Sequence, residues 1–353
     1  MKPGTFYVFA GLTAAAVVAA GIAVTSQTEL TSLTAGTEPA FPQLESAVND
    51  VARIELKTAK GEFSISLDGE KWGLDQKDGY PVEFEKVKSA VVGLANFKLI
   101  EKKTSDPDRY GRLDLQDPGG SDARSTGIVL RNAAGDVLAE AVVGKVNGNL
   151  FGSGGAGTYI RRGGDEAAWL ARGQVALGDE PNMWMVRQIV NYGQEAVKRV
   201  TVRHPDGAEV RISKETKEDR NFVLADIPAG REIKSGDAAN PLGGVMWRMM
   251  FDDVMLASKQ EWPAETWVSH YTTWDGVTVR IEVAKIGDDH WGRFSAAVAD
   301  DVTGADEKEV ARQIADEIAA RTDGWTYMLT AGDAEKLTAK IDFYLADPKK
   351  EGS

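Results

Sequence analysis

Val51-Ala52-Arg53-Ile54-Glu55-Leu56 and, 146 residues further on, Val197-Lys198-Arg199-Val200-Thr201-Val202 are the stretches on which the fold turns. Each alternates apolar and polar residues with the period of a half-buried strand. After the first come a Lys60-Gly61 turn and a second alternation at Phe63, Ile65 and Leu67, so two antiparallel strands joined by a tight turn are expected. A turn at Asp68-Gly69 leads to a third short strand, Lys71-Trp72-Gly73-Leu74. Beyond Pro81 the period lengthens, and Phe84, Val87, Val91 and Leu94 fall on one face of a helix.

The same succession returns in the second half, which predicts an internal repeat. His204-Pro205-Asp206-Gly207 takes the place of the Lys60-Gly61 turn, Val210 and Ile212 the alternating positions, and Asn221-Phe222-Val223-Leu224 the third strand. A helix over residues 241–256 is then expected, with Val245, Met249 and Met250 toward one side. Strand pattern follows each helix, at 126–130 and at 277–283, with Tyr159-Ile160-Arg161 and Trp325-Thr326-Tyr327-Met328 as later strands. A helix over 306–321 belongs to the second half alone. Between the halves, Asp179-Glu180-Pro181 opens a stretch with Met183, Val186, Ile189 and Val190 on one stripe, which reads as a connecting helix over 179–196. The fold class is therefore α+β, with two repeated, mainly antiparallel sheet-plus-helix modules over 51–178 and 197–346 and a tail at 347–353.

Ahead of the modules, residues 6–24 run for 19 residues without a charge, preceded only by Lys2 and the amino terminus. Phe6, Tyr7, Val8, Phe9, Leu12, Val17, Val18, Ile22 and Val24 supply the large side chains of this predicted membrane anchor. Lys2 stands before it and Glu29, Glu38 and Glu45 after it. That asymmetry predicts a single-pass protein of the bacterial inner membrane, its amino terminus cytoplasmic and its larger part periplasmic. A removable signal peptide is the other reading of residues 1–24. Its exits, Gly21-Ile22-Ala23 and Val24-Thr25-Ser26, are poor cleavage sites, which favours a retained anchor. Residues 25–50, rich in Thr, Ser, Gly, Glu and Pro without an apolar period, read as a flexible tether.

Composition narrows the function classes. The absence of cysteine excludes a lipid-anchored lipoprotein, disulfides and thiolate chemistry. A formal net charge of −13 argues against binding to nucleic acid or anionic lipid, which require clustered Lys and Arg. With 42% hydrophobic and 27% charged residues the chain has the means to build a packed core.

Several short pieces together carry a family resemblance. They are Trp72-x-Leu74, Pro81-Val82, the helix with Val87 and Leu94, Tyr110-Gly111-Arg112-Leu113, Pro118, and Val143-Gly144 ahead of Tyr159-Ile160. The second half adds Val200-Thr201-Val202, Pro205-Asp206-Gly207, the run from Asp226 to Glu232, Asp252-Asp253-Val254 and Gly324-Trp325-Thr326-Tyr327. The chain resembles the bacterial DUF4340 family over nearly the whole of its predicted extracytoplasmic part. Arg112 interrupts the family's usual Tyr-Gly-Leu. The resemblance implies single-pass membrane proteins, often encoded beside ABC transporters of the gliding-motility type, with no assigned catalytic residues.

No catalytic, cofactor-binding or metal-ligating set is predicted from the residues themselves. Gly152-Ser153-Gly154-Gly155-Ala156-Gly157 matches G-x-G-x-x-G, but a strand pattern and not a helix follows it, so a hairpin loop is expected. No P-loop occurs, which leaves any nucleotide hydrolysis to a partner. His204, His270 and His290 lack zinc-site spacing; a solvated turn is expected for His204 and structural roles for the other two. The pairs Asp252-Asp253, Asp288-Asp289 and Asp300-Asp301 lack calcium-loop spacing and read as solvated turns and a helix terminus. There is no G-x-S-x-G elbow.

Aromatic residues supply the remaining candidate. Trp247 and Trp291 are expected in the core, whereas Trp262, Trp267 and Trp274 are the candidate binding surface. Met246, Met249, Met250 and Met255 read as a soft core. Three functions follow as expectations. The first is a noncatalytic accessory or scaffold subunit of an ABC-type assembly, with permease and ATPase as partners. The others are a periplasmic glycan or small-solute binding module and a cryptic hydrolase.

Overall fold

The computed structural model describes residues 38–148, 150 and 155–347. The predicted anchor at residues 6–24 lies outside them, as does the tail from 348; among the described residues no helix is long and apolar enough to cross a membrane. The described chain is already folded from Glu38, where the sequence predicts a tether up to residue 50. Here β1 (Glu38–Pro39) and α1 (Pro42–Ser46) bury Ala40, Phe41 and Leu44. Three apolar side chains within five residues are too few to show a period in the sequence.

The first module continues with β2 (Val51–Thr58), β3 (Gly61–Asp68), β4 (Lys71–Leu74), β5 (Tyr80–Pro81), α2 (Phe84–Ala95) and β6 (Lys98–Thr104). It ends with β7 (Thr126–Asn132), β8 (Val137–Asn147), β9 (Gly157–Arg162) and β10 (Ala168–Arg172). The second contains β11 (Gln188–Val190), β12 (Val197–Arg203), β13 (Glu209–Ser213), β14 (Val223–Leu224), α3 (Asn240–Gly243) and β15 (Met249–Leu256). It closes with β16 (Trp267–Thr273), β17 (Val277–Ile286), β18 (Asp289–Val298), α4 (Ala305–Thr322), β19 (Trp325–Leu329) and α5 (Ala331–Thr338).

Two antiparallel sheets result, in the orders β1-β6-β10-β9-β8-β7-β2-β3-β4-β5 and β11-β15-β19-β18-β17-β16-β12-β13-β14. With β5 set aside, each strand of the second module occupies the place of its counterpart in the first. The irregularities match as well, with a bulge between Val51 and Arg53 in β2 and another between Val197 and Arg199 in β12. After its last strand each module returns to the same edge. Trp184 O accepts from Glu83 N at 2.8 Å and Val186 N donates to Pro81 O at 3.0 Å. In the second module Tyr344 O accepts from Lys234 N at 3.0 Å and Ala346 N donates to Glu232 O at 2.8 Å.

One face of each sheet is packed. Val87, Ala90, Val91 and Leu94 recur at helical spacing on the buried side of α2. Ala311, Ala315 and Ile318 of α4 meet β17 and β18, and the small alanines let the helix approach the sheet closely. This helix occurs only in the second module, as its sequence period predicts.

Two expected helices are corrected. Residues 241–256 form the short α3 and then a strand. A bulge between Phe251 and Asp253 in β15 breaks its alternation, so Met249 and Phe251 face inward at strand spacing while Val254 follows at the helix-like interval of three. Residues 179–196 form a 3-10 turn at Pro181–Met183, then β11, then a 3-10 turn at Gln194–Ala196. The chain crosses there from the edge of one sheet to the edge of the other, so its buried side changes midway.

At that crossing the modules join. The Tyr80 ring packs edge-on against Trp325 and Phe251 of the second sheet, with centroids 4.9 and 5.4 Å away. Its hydroxyl donates to Val186 O at 3.0 Å, and burial pushes its pKa up to about 12. Lys77 pairs with Asp253 and Lys259 with Asp78, each at 2.5 Å, across the same junction. Replacing Tyr80 with Ala is expected to cost about 3–5 kcal/mol. In urea unfolding, that loss should split one cooperative transition into two.

Candidate functional site

Strand alternation sends Ile54 and Leu56 of β2 into the core and Arg53, Glu55 and Lys57 to the opposite face. Pairing places Ser64 and Val129 beside Glu55, Glu62 and Gly127 beside Lys57, and Glu140 beside Val129. These side chains line a groove of about 440 Å³ on the outer face of the first sheet, with Pro118 and Gln76 at its walls. A Cβ on Gly127 would stand 3.0 Å from the Pro118 ring, so glycine keeps the floor open there.

The charges of the groove largely satisfy one another. Arg53 pairs with Glu55 at 3.1 Å and Asp75 at 2.8 Å, and Arg131 reaches Glu55 at 3.2 Å. Ser64 and Ser66 donate to the same Asp75 oxygen at 2.7 and 3.0 Å. Lys57 pairs with Glu62 at 2.5 Å. Glu140 has no ion pair among the described residues. A second groove, about 470 Å³, runs from Phe41 and Pro42 along the start of β8 to Arg162 and Asp165, and Glu140 borders both.

The three tryptophans of the candidate binding surface occupy different settings. Trp262 donates its indole N–H to Glu282 Oε1 at 2.9 Å and lies 4.0 Å beneath the Arg293 guanidinium, which stacks it on the outer face of the second sheet. Trp267 is half-buried against the core at the start of β16. Trp274 follows the other end of that strand, roughly 20 Å along it, with Lys198 5.4 Å from its ring. The structure does not gather them on one face.

Other expectations are corrected. Trp247 is 63% exposed in the turn between α3 and β15, and Met250 faces outward between the inward-facing Met249 and Phe251. Met246 and Met249 are buried as expected. His204 is buried, since the segment at Ala339 and Lys340 covers its turn. His270 is exposed on β16, and His290 stands 6.0 Å from the Trp267 ring. Asp252 and Asp253 lie in β15, where they pair separately with Arg187 and Lys77. Lys198 and Arg199 hold the Asp301 carboxyl down to about 2. Among the described residues, no three His, Asp or Glu side chains come together to hold a metal ion. Residues 151–154 of the glycine-rich loop lie outside the described residues; Gly157 opens β9.

The groove residues escaped the sequence reading because alternate charged positions on a strand look like any solvated face. The available signal was the concentration of Ser64, Ser66 and Asp75 opposite Arg53, visible only once the register is known.

The profile of a family described as a domain of unknown function (DUF4340) matches residues 72–260, more than half of the chain. The matched stretch runs from β4 through the joint at Tyr80 to the end of β15. No curated protein and no solved structure matches.

Asp75→Ala removes the shared acceptor of Arg53, Ser64 and Ser66. A loss of about 1–2 kcal/mol is expected, discounted for partial exposure. A lower urea midpoint with an unchanged slope would register it.

Proposed function

We propose, for a chain that belongs to the DUF4340 family, a noncatalytic role as a membrane-anchored extracytoplasmic accessory or scaffold subunit of an ABC-type transport assembly. The observation that carries the scaffold reading is the joint: Tyr80 and its flanking ion pairs hold two sheets of the same topology in one fixed relation. A rigid platform with two outer faces suits the positioning of partners. The largely self-neutralised charges of the groove also favour recognition over acid–base catalysis, which requires a group poised for proton transfer.

Placement rests on the charge-free residues 6–24 and on the charges flanking them. They support a single span in the bacterial inner membrane, with the sheets on the periplasmic side. The permease and ATPase partners rest on the family resemblance. A solute-binding role is the second reading, favoured by the groove of about 440 Å³. The groove floor offers backbone, valine and paired charges, which suits a polar extended ligand better than a stacked sugar ring.

An affinity pull-down of the full-length tagged protein from gently solubilised membranes tests the proposal, with copurifying chains identified by mass spectrometry. Permease and ATPase subunits are expected with the full chain and should be lost when residues 6–24 are deleted, if the contact lies in the membrane. Recovery of this chain alone in both forms would sink the transporter reading and leave the groove as the next target.

A further inference from the structure

Both modules hold their returning segment with a latch at the same place, built from different chemistry. In the first, the β2–β3 hairpin reaches the residues ahead of Trp184. Thr58, only 3% exposed, donates its hydroxyl to Asp179 O at 3.0 Å, and Lys60 pairs with Asp179 at 2.8 Å and Glu180 at 2.7 Å. In the second, the β12–β13 hairpin reaches the residues ahead of Tyr344. His204, also 3% exposed, lies against the Ala339 backbone, and Asp206 pairs with Lys340 at 2.6 Å. Counted from the start of their strands, Thr58 and His204 hold the same position, as do Lys60 and Asp206. Counted back from Trp184 and Tyr344, so do Asp179 and Ala339, and Glu180 and Lys340. The ion pair has changed sign between the copies, and a hydroxyl has been exchanged for an imidazole.

That exchange introduces a group that titrates. The Nε2 atom of His204 is buried without a partner. A neutral ring fits this arrangement. An imidazolium would add a charge and a second N–H with no acceptor. The charged groups facing the ring are Asp206 from its own hairpin and Lys340 from the returning segment. From β16, Val268 and Ser269 stand opposite Arg203 and Val202, and neither titrates. Burial holds the imidazole below its usual pKa, although Asp206 opposes the shift. Lys340 holds the Asp206 carboxyl below its ordinary range, so the ion pair keeps its charges where the imidazole titrates.

We propose that His204 makes the second returning segment, residues 339–346, releasable by mild acid, while the Thr58 latch keeps the first closed. The direction follows from linkage. A detached segment leaves the ring in water with a pKa of about 6.5, so the open form takes up a proton first as pH falls. The latch is at full strength above that value and weakens below it. Opening uncovers Tyr344 and Leu345, both buried against the second sheet.

Hydrogen exchange read by mass spectrometry on the full-length chain tests this at pH 7.5 and 5.5, with rates corrected for the intrinsic effect of pH. Opening of residues 339–346 should rise by up to about tenfold at pH 5.5, while residues 179–186 stay unchanged. His204→Thr, which copies the first latch, should abolish the increase; His204→Gln supplies the same reading should the threonine variant not fold. An increase that persists without the imidazole, or an equal increase in both segments, overturns the proposal.

Discussion

The packing of Tyr80 against Trp325 and Phe251 determines whether this chain is one body or two. Each sheet has a packed face of its own, but the edge strands at the crossing are short: β5 has two residues and β11 has three. Strands of that length contribute few ladder bonds, so they need side-chain burial to hold them in place. The tyrosine supplies it from the first sheet and the second sheet supplies the aromatic wall. Lys77 and Lys259 add ion pairs across the same contact, one lysine from each module.

Duplication explains why the joint has this form. Each module sends its chain back past the edge that follows the fourth strand, and in the first module that return continues into β11. The covalent path therefore brings the second sheet to the edge where Tyr80 lies. Core positions repeat in kind between the copies: Ile54 and Val200, Leu56 and Val202, Ile65 and Ile212, and Leu74 and Leu224 are all buried. Register imposes this, because each must fill the same layer beneath the sheet.

Much of this architecture was legible from period alone. Strands β2–β4 and β12–β14, with α2 and α4, follow from alternation and from helical spacing, and the repeat follows from its turn residues. The pattern failed where the chain changes its buried side. The bulge in β15 shifts alternation by one residue, and the crossing near Arg187 moves burial from Trp184 and Met185 to Ile189 and Val190. The first gives an apolar spacing of three, from Phe251 to Val254, and the second one of four, from Met185 to Ile189, without a helix. His204 and Trp247 failed for another reason: the burial of a turn depends on what folds over it from far along the chain, and no local window carries that.

Where the copies share a residue type, the fold accounts for it; where they differ at an exposed or latch position, the fold leaves room for function. On the outer face Glu55 and Lys57 stand where the second module has Thr201 and Arg203. Arg53 turns to Asp75 within its own sheet, whereas Arg199 turns to Asp301 ahead of α4. One backbone plan thus presents a groove lined with paired charges in the first module. In the second, Trp262 and Arg293 cover part of the corresponding outer face. The two faces cannot recognise the same surface. The proposed scaffold role would gain direction from these differences, with the Tyr80 joint setting the distance between two unlike faces.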